Sequence, residues 1–265
     1  LLTGKVGNDL FELANKWLRH LPGGLGIATV MACAVFAAIT GSSVACAVTI
    51  GAIAIPEMLA RGYDRPLVLG AVAAGGTLGI LIPPSIPMIL YGAITDESIG
   101  KLFMSGVIPG VIMTLMFTAI VVYRSRNLKR EAAATWDERI SALKKSIWGL
   151  FLPIIVVGGI YTGIFTPTEA AGIGTVYSLF ITFCVYRTLS FKDMPGILND
   201  TIKTTCMIFA IMIGASLFGF VLTILDAPQA LTNYVAGLET SRGVGFIAIH
   251  RPFVLLGCSL ESVRI

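Results

Sequence analysis

Apolar residues fill this chain in long runs separated by short polar or charged stretches, and the run lengths define the predicted elements. Leu10, Leu13, Ala14, Trp17, Leu18 and Leu21 recur at helical spacing and predict a helix lying on a surface, within an N-terminal segment 1–22. Gly23–Ile39 is apolar, Thr40-Gly41-Ser42-Ser43 is polar, and Val44–Leu59 is apolar again. The two arms hold 17 and 16 residues, short for a bilayer crossing of about 20. With the small polar centre as a tip, they predict a re-entrant hairpin over 23–59 that enters and leaves on one side. Two complete crossings are the alternative, and they would leave the later loops on the same sides. A broken span follows within 66–95, then a span over 102–123. In the charged stretch 124–147, Trp136, Ile140, Leu143 and Ile147 mark one face of an interfacial helix. Three spans lie within 148–225, at Trp148–Phe165, Ala170–Tyr186 and Thr201–Leu225.

The broken span carries the strongest local signal. Gly75 to Ser85 reads GGTLGILIPPS, and Pro83 and Pro84 remove two amide donors and crowd the preceding turn, so no continuous helix passes through them. Irregular backbone at membrane depth is tolerated only where protein buries it or a watery cavity meets it. In secondary transporters such breaks are where ions and substrates bind.

Charge tests the layout. With a hairpin at 23–59, the loops at 1–22, 60–65, 124–147 and 187–200 share one side. Together with Lys203 they hold fifteen lysines and arginines, against Lys101 and Arg242 on the other side. That asymmetry makes the first side cytoplasmic. Arg61 to Pro66 reads as a tight turn on that side.

Composition agrees with a lipid solvent. Of 265 residues 55% are hydrophobic and 13% charged, about half the usual charged share of roughly 25%. The net charge of +4 sits in short loops between apolar runs, which gives nucleic-acid binding no support. The five cysteines, Cys33, Cys46, Cys184, Cys206 and Cys258, stand in apolar runs, too far apart in sequence to read as metal-ligand pairs, and read as packing residues. His20 and His250 are too scattered for a relay. No Ser/His/Asp set, phosphate loop or His/Cys/carboxylate cluster supports hydrolysis or group transfer.

What the chain offers is neutral oxygen. Thr40, Ser42 and Ser43 supply hydroxyls, and Gly41 with the unwound stretch Gly79 to Ser85 supplies carbonyls. Such ligands suit a hard monovalent cation such as Na⁺, and helix ends beside a break aim their dipoles at the site. Small residues at 40–43 also serve close helix packing; the double proline nearby favours a site. In Gly163 to Glu169, Thr166 or Thr168 is placed to cap the next helix, with Pro167 at an early helical position and Glu169 in the first turn. The chain begins at Leu1 without a methionine and reads as part of something longer. Its tail is irregular for a bilayer, since Arg242, Arg251-Pro252 and Arg264 interrupt the apolar pattern of 241–265.

Seven of these segments, in order, resemble the large membrane subunit of the tripartite ATP-independent periplasmic (TRAP) transporters, the DctM-like family. They are Leu21 to Leu25 (LPGGL), Thr40 to Ala45 (TGSSVA), Ile55 to Met58 (IPEM), Gly62-Tyr63-Asp64, Leu78 to Ser85 (LGILIPPS), Phe103 to Gly110 (FMSGVIPG) and Gly163 to Ala171 (GIFTPTEAA). The resemblance implies an all-α integral membrane protein, an elevator-type secondary transporter with inverted repeats, each holding a re-entrant hairpin and a broken transmembrane helix. It implies Na⁺-coupled import of organic acids, such as C4-dicarboxylates or sialic acids, across a bacterial inner membrane. The implied partners are a small membrane subunit and a periplasmic substrate-binding protein. Carried onto this chain, Thr40, Gly41, Ser42, Ser43, Gly79 and Pro83 would hold a Na⁺, and Ser42, Ser43, Pro84 and Ser85 would form a wall of the substrate site. Residues 226–265 would begin the second repeat, with Gly257 to Ile265 at the start of its hairpin, Glu261 in place of an expected Asp, and the second broken helix absent. A divalent-anion/sodium symporter working without a binding protein, and a non-transporting membrane scaffold, are the competing readings.

Overall fold

The computed structural model describes residues 5–128 and 130–237, with single positions at 245, 250, 251 and 254. The expectations for the tail beyond 237, including Glu261 and Arg264, lie outside the described residues. The chain divides into two units, Leu1–Ser190 and Phe191–Ile265. Among the described residues both are helical, without strands.

The first unit opens with α1 (Val6–Leu18), α2 (Gly24–Thr40) and α3 (Ser43–Ala60). α1 is amphipathic, and it is not simply laid on a surface: Val6, Leu10 and Phe11 are buried against α2 and α7. The α2–α3 turn is short because each residue in it has one task. Gly41 ends α2 in the left-handed conformation, φ 62°, its N–H bonded to the Ala37 carbonyl at 2.8 Å. Ser42 is extended and caps α3, its hydroxyl accepting from the Ala45 N–H at 3.3 Å.

α4 (Arg65–Leu81) and α5 (Ile86–Thr95) occupy the predicted broken span. Ile82, next to a proline, is extended (φ −80°, ψ 123°) and cannot continue α4, while Ser85 is extended before Pro87 starts the first turn of α5. The Pro83–Pro84 peptide is cis. α2, α3 and α4 pack on one another around Phe36, Ile50, Met58, Val68 and Leu78, all fully buried.

α6 (Ile99–Ser125) covers α2 and α4. α7 runs from Trp136 to Tyr161 as one helix of 26 residues. The pattern divides this region into an interfacial helix through 147 and a span from Trp148; the structure joins them. A change from charged to apolar residues does not end a helix, and neither a polar turn nor a proline stands at the join. Thr135 and Glu138 start α7 with a capping box. α8 (Pro167–Phe180) follows and continues through a wider helical turn at Ile181–Val185. Thr166, not Thr168, caps it: the Glu169 N–H donates to the Thr166 hydroxyl at 3.3 Å, and the Thr166 N–H donates to the Glu169 carboxylate at 2.9 Å.

Polar contacts fasten α1 to α7. Lys16 and Arg19 reach Glu138 at 2.8 and 3.1 Å, Arg19 donates to the Ala132 carbonyl at 2.8 Å, and the Ser146 hydroxyl donates to the Asp9 carbonyl at 2.8 Å. The Tyr186 hydroxyl reaches the Lys145 carbonyl at 3.2 Å. Burial pushes the Asp9 carboxyl above the usual carboxylate range, assisted by Glu12 and opposed by Lys145. Burial beside Asp9 likewise takes the Tyr186 phenol up to about 12.

The second unit holds α9 (Met194–Ile224), starting seven residues before the predicted span, and α10 (Ala227–Ala236) packed against it. α9 is apolar over a full bilayer length and buries no residue. Six helical segments among the described residues are long and apolar enough to cross a membrane.

Candidate functional site: where the hairpin tip meets the broken helix

The α2–α3 tip and the α4–α5 break are in contact, and glycine makes the contact possible. A Cβ on Gly79 would stand 2.7 Å from the Ser42 carbonyl carbon and oxygen and 2.8 Å from the Ser43 nitrogen. A Cβ on Gly41 would overlap the Pro84 carbonyl, and Gly41 has the positive φ that disfavours any side chain. One backbone hydrogen bond joins the two elements directly: the Ile86 N–H, at the start of α5, donates to the Gly41 carbonyl at 3.3 Å.

All eight residues expected at a site lie at this junction. Thr40, Gly41, Ser42 and Ser43 form the tip and Pro83, Pro84 and Ser85 the break, while Gly79, expected to begin an unwound stretch, lies in the last turn of α4 because the prolines stop the helix only from Ile82 onward. Direct approaches are backbone to backbone, Gly41 to Pro84 and Ser85, and Gly79 to Ser42 and Ser43. The hydroxyls are partly engaged. Thr40 donates to the Phe36 carbonyl at 3.0 Å and Ser42 accepts from Ala45. Ser85 is fully buried, and its hydroxyl donates to the Ile80 carbonyl at 2.6 Å, bridging the end of α4 to the start of α5. Ser85 therefore holds the break in shape, while Ser42 and Ser43 keep partial exposure.

The ends converging here have opposite polarity. α2 and α4 end at the junction with carbonyls that lack an intrahelical partner, whereas α3 and α5 begin there with N–H groups in the same condition. The first pair attracts a cation and the second an anion. Among the described residues no group of three or more His, Cys, Asp or Glu is placed to hold a metal ion. Behind the break lies a recess of about 540 Å³, lined by Met31, Ala34, Ile82, Pro83, Val111 and Val157 among others. Its walls are almost wholly apolar, which makes it unsuited to a carboxylate.

Two features were invisible to sequence spacing. The Ile86 N–H that joins tip to break belongs to a residue with no distinctive chemistry. Cys33 and Cys46, thirteen residues apart and not read as a pair, are neighbours across α2 and α3: the Cys46 thiol donates to the Cys33 carbonyl at 3.4 Å. Both are fully buried. Gly75 on α4 faces Cys33, where a Cβ added to it would stand only 2.8 Å from the sulfur.

Comparison with known proteins gives this junction its context. The family described as "Tripartite ATP-independent periplasmic transporter, DctM component" matches residues 1–265. The chain is 40% identical over 267 residues to the C4-dicarboxylate TRAP transporter large permease protein DctM of Pseudomonas aeruginosa, covering 100% of this chain and 62% of that protein. It is 39% identical over 281 residues to the protein of the same name from Rhodobacter capsulatus, covering 100% and 64%. To the sialic acid TRAP transporter large permease protein SiaM of Vibrio cholerae it is 32% identical over 273 residues, covering 100% and 64%. The chain thus spans a little under two thirds of the length of the curated relatives it matches. With the whole chain matched and the helices suited to a bilayer, this multi-pass membrane protein belongs to the DctM component family of the tripartite ATP-independent periplasmic transporters.

Proposed function

We propose that this chain forms one half of the ion and substrate site of a Na⁺-coupled TRAP permease, which takes an organic acid from a periplasmic binding protein and works beside a small membrane subunit in a bacterial inner membrane. The observation that carries the reading is the tip-to-break contact, with Gly41 and Gly79 drawing four helix ends together. Na⁺ would be held by neutral oxygens from Thr40, Gly41, Ser42, Ser43, Gly79 and Pro83. An acid would meet Ser42, Ser43, Pro84 and the N-terminal ends of α3 and α5, whose dipoles favour an anion without a buried arginine. Ser85 would act indirectly, by fixing the angle of the break. In this reading α2–α3 is a re-entrant hairpin, and it moves with α4–α5 as the carrier of an elevator.

The relatives named above are described as acting on C4-dicarboxylate and sialic acid, and organic acids are the class proposed here. The test is uptake by the full-length protein, reconstituted with its membrane subunit and binding protein, with Ser42→Ala and Ser43→Ala introduced together. The sodium concentration for half-maximal uptake should rise; an unchanged sodium dependence would reject this site. Uptake that needs no added binding protein would favour the symporter alternative.

A further inference from the structure

The cytoplasm-proximal half of α7 carries an arrangement that the transport reading does not use. We propose that it is a binding site for an anionic phospholipid, with Arg139 and Lys144 holding the headgroup and the apolar ridge of α7 holding the acyl chain. The inference needs that α7 crosses a bilayer with its basic N-terminal end on the cytoplasmic side, and it is independent of the transport reading.

The Arg139 guanidinium lies against two tryptophan rings, 5.6 Å from the centroid of Trp17 and 5.2 Å from that of Trp136. The two rings meet edge to face at 6.4 Å. The Arg139 side chain has no ion pair or hydrogen bond among the described residues, and its Nε is enclosed without a partner. The aromatic rings therefore fix its position while its charge stays uncompensated. A carboxylate within reach would normally claim such a group; here Glu138 points the other way, to Lys16 and Arg19.

The helix places Lys144 on the other flank of the same ridge. At 100° per residue, Trp136, Ile140, Leu143, Ile147 and Ile154 line up on one face, with Arg139 to one side and Lys144 to the other. All five ridge residues are exposed. Lys144 is exposed and makes no ion pair among the described residues. It lines a shallow cleft with Asp137, Ile140, Ser141 and Lys145, two cations against one carboxylate, and Lys145 also leans to Glu12 at 3.7 Å.

Depth selects the occupant. A hydrocarbon core takes about 20 helical residues, and counting that many back from Tyr161 reaches Ala142. Arg139 and Lys144 then bracket the boundary, at the level of lipid phosphates, with the ridge descending from them into the acyl region. Lysine and arginine on the flank of an apolar surface extend to the interface. This is the side on which fifteen of the basic residues gather, facing a leaflet rich in anionic lipid. Charge complementarity and the continuous apolar track therefore point to a lipid, where a polar ligand would leave the ridge bare.

The site contains its own probe, because, of the chain's three tryptophans, Trp17 and Trp136 pack on Arg139 and Trp148 lies one helical turn beyond Lys144. The full-length permease, with any tryptophan outside these 265 residues changed to phenylalanine, is reconstituted in phosphatidylcholine vesicles. A fixed minor fraction of lipid with brominated acyl chains is added, either phosphatidylglycerol or phosphatidylcholine. Bromine quenches tryptophan only on contact. Brominated phosphatidylglycerol should quench the more strongly, with an apparent enrichment that falls roughly fivefold for each basic side chain removed. Arg139→Gln and Lys144→Gln should each weaken the preference, and Arg139→Lys should retain most of it. Lys144→Gln alters an exposed side chain outside the tryptophan stack, so it tests the site even where Arg139→Gln disturbs folding. Equal quenching by the two lipids would overturn the assignment. So would a preference that survives both glutamine variants, or an absence of quenching by either lipid, which would mean that protein covers the ridge.

Discussion

Replacing Gly79 by alanine separates two effects that usually run together. Gly79 lies inside α4, where alanine favours the helix by about 1 kcal/mol over glycine. Its Cβ, however, would stand 2.7 Å from the Ser42 backbone, whereas ordinary van der Waals contact begins near 3.4 Å, so the tip must retreat by about 0.7 Å. Overpacking of this kind costs about 1–3 kcal/mol, and the obstacle is backbone, which cannot swing aside as a side chain does. The net stability change is therefore small, a loss of roughly 0–2 kcal/mol. The ligand oxygens of the tip, by contrast, move by a large fraction of an ångström, enough to lower activity by about tenfold or more in a preorganised site. Gly70 supplies the control. It lies in the same helix and an added Cβ there meets nothing within 4 Å, so Gly70→Ala should leave uptake unchanged and raise stability slightly. Thermal unfolding and sodium-driven uptake of the full-length protein are measured for both variants. If Gly79→Ala transports like Gly70→Ala, the tip-to-break contact is not part of the site.

Phe36→Ala should destabilise the protein by about 3–5 kcal/mol, because Phe36 is fully buried in the α1–α4 core; a loss below about 1 kcal/mol in detergent unfolding would contradict that packing. Thr166→Ala should cost about 1 kcal/mol through the α8 cap, while the sodium dependence of uptake stays as it was; thermal unfolding and uptake check the two halves of the statement. Asp9 holds its proton more tightly in the folded protein than in the unfolded chain. The folded state thus binds more protons between the ordinary carboxylate value and the raised one, and Asp9 reduces stability as the pH rises through that window. Asp9→Asn should flatten the acid side of the stability–pH curve and raise stability at neutral pH, as measured by unfolding across a pH series.

The arrangement of helices was largely legible because its determinants are local. The prolines at 83 and 84 stop α4 wherever the chain is placed, Gly41 and Ser42 turn and cap regardless of partners, and Thr166 with Glu169 forms its cap from residues three apart. The boundary drawn at Trp148 failed for a related reason. It rested on polarity, and polarity decides which solvent a helix meets, not where its hydrogen-bond ladder ends. The residues that meet at the candidate site could be named from the sequence, but not how they pack there. Thr40 to Ser43 and Gly79 to Ser85 carry neutral oxygens, yet nothing local distinguishes Ser42, which keeps some exposure, from Ser85, whose hydroxyl is spent on Ile80.

By itself the sequence determined that this protein suits a lipid bilayer, where its helices break, and, through seven ordered motifs, its family. Those properties depend on transfer energies and backbone sterics summed over neighbouring residues. Only the tertiary structure decided that the hairpin tip sits on the break through Gly41 and Gly79, that Cys33 and Cys46 meet, and that the Arg139 guanidinium lies against both Trp17 and Trp136 without an ion pair. Each of these joins residues distant in the chain or on different helices. Such pairings follow from how the helices pack as a whole, a property that no single segment of the sequence contains.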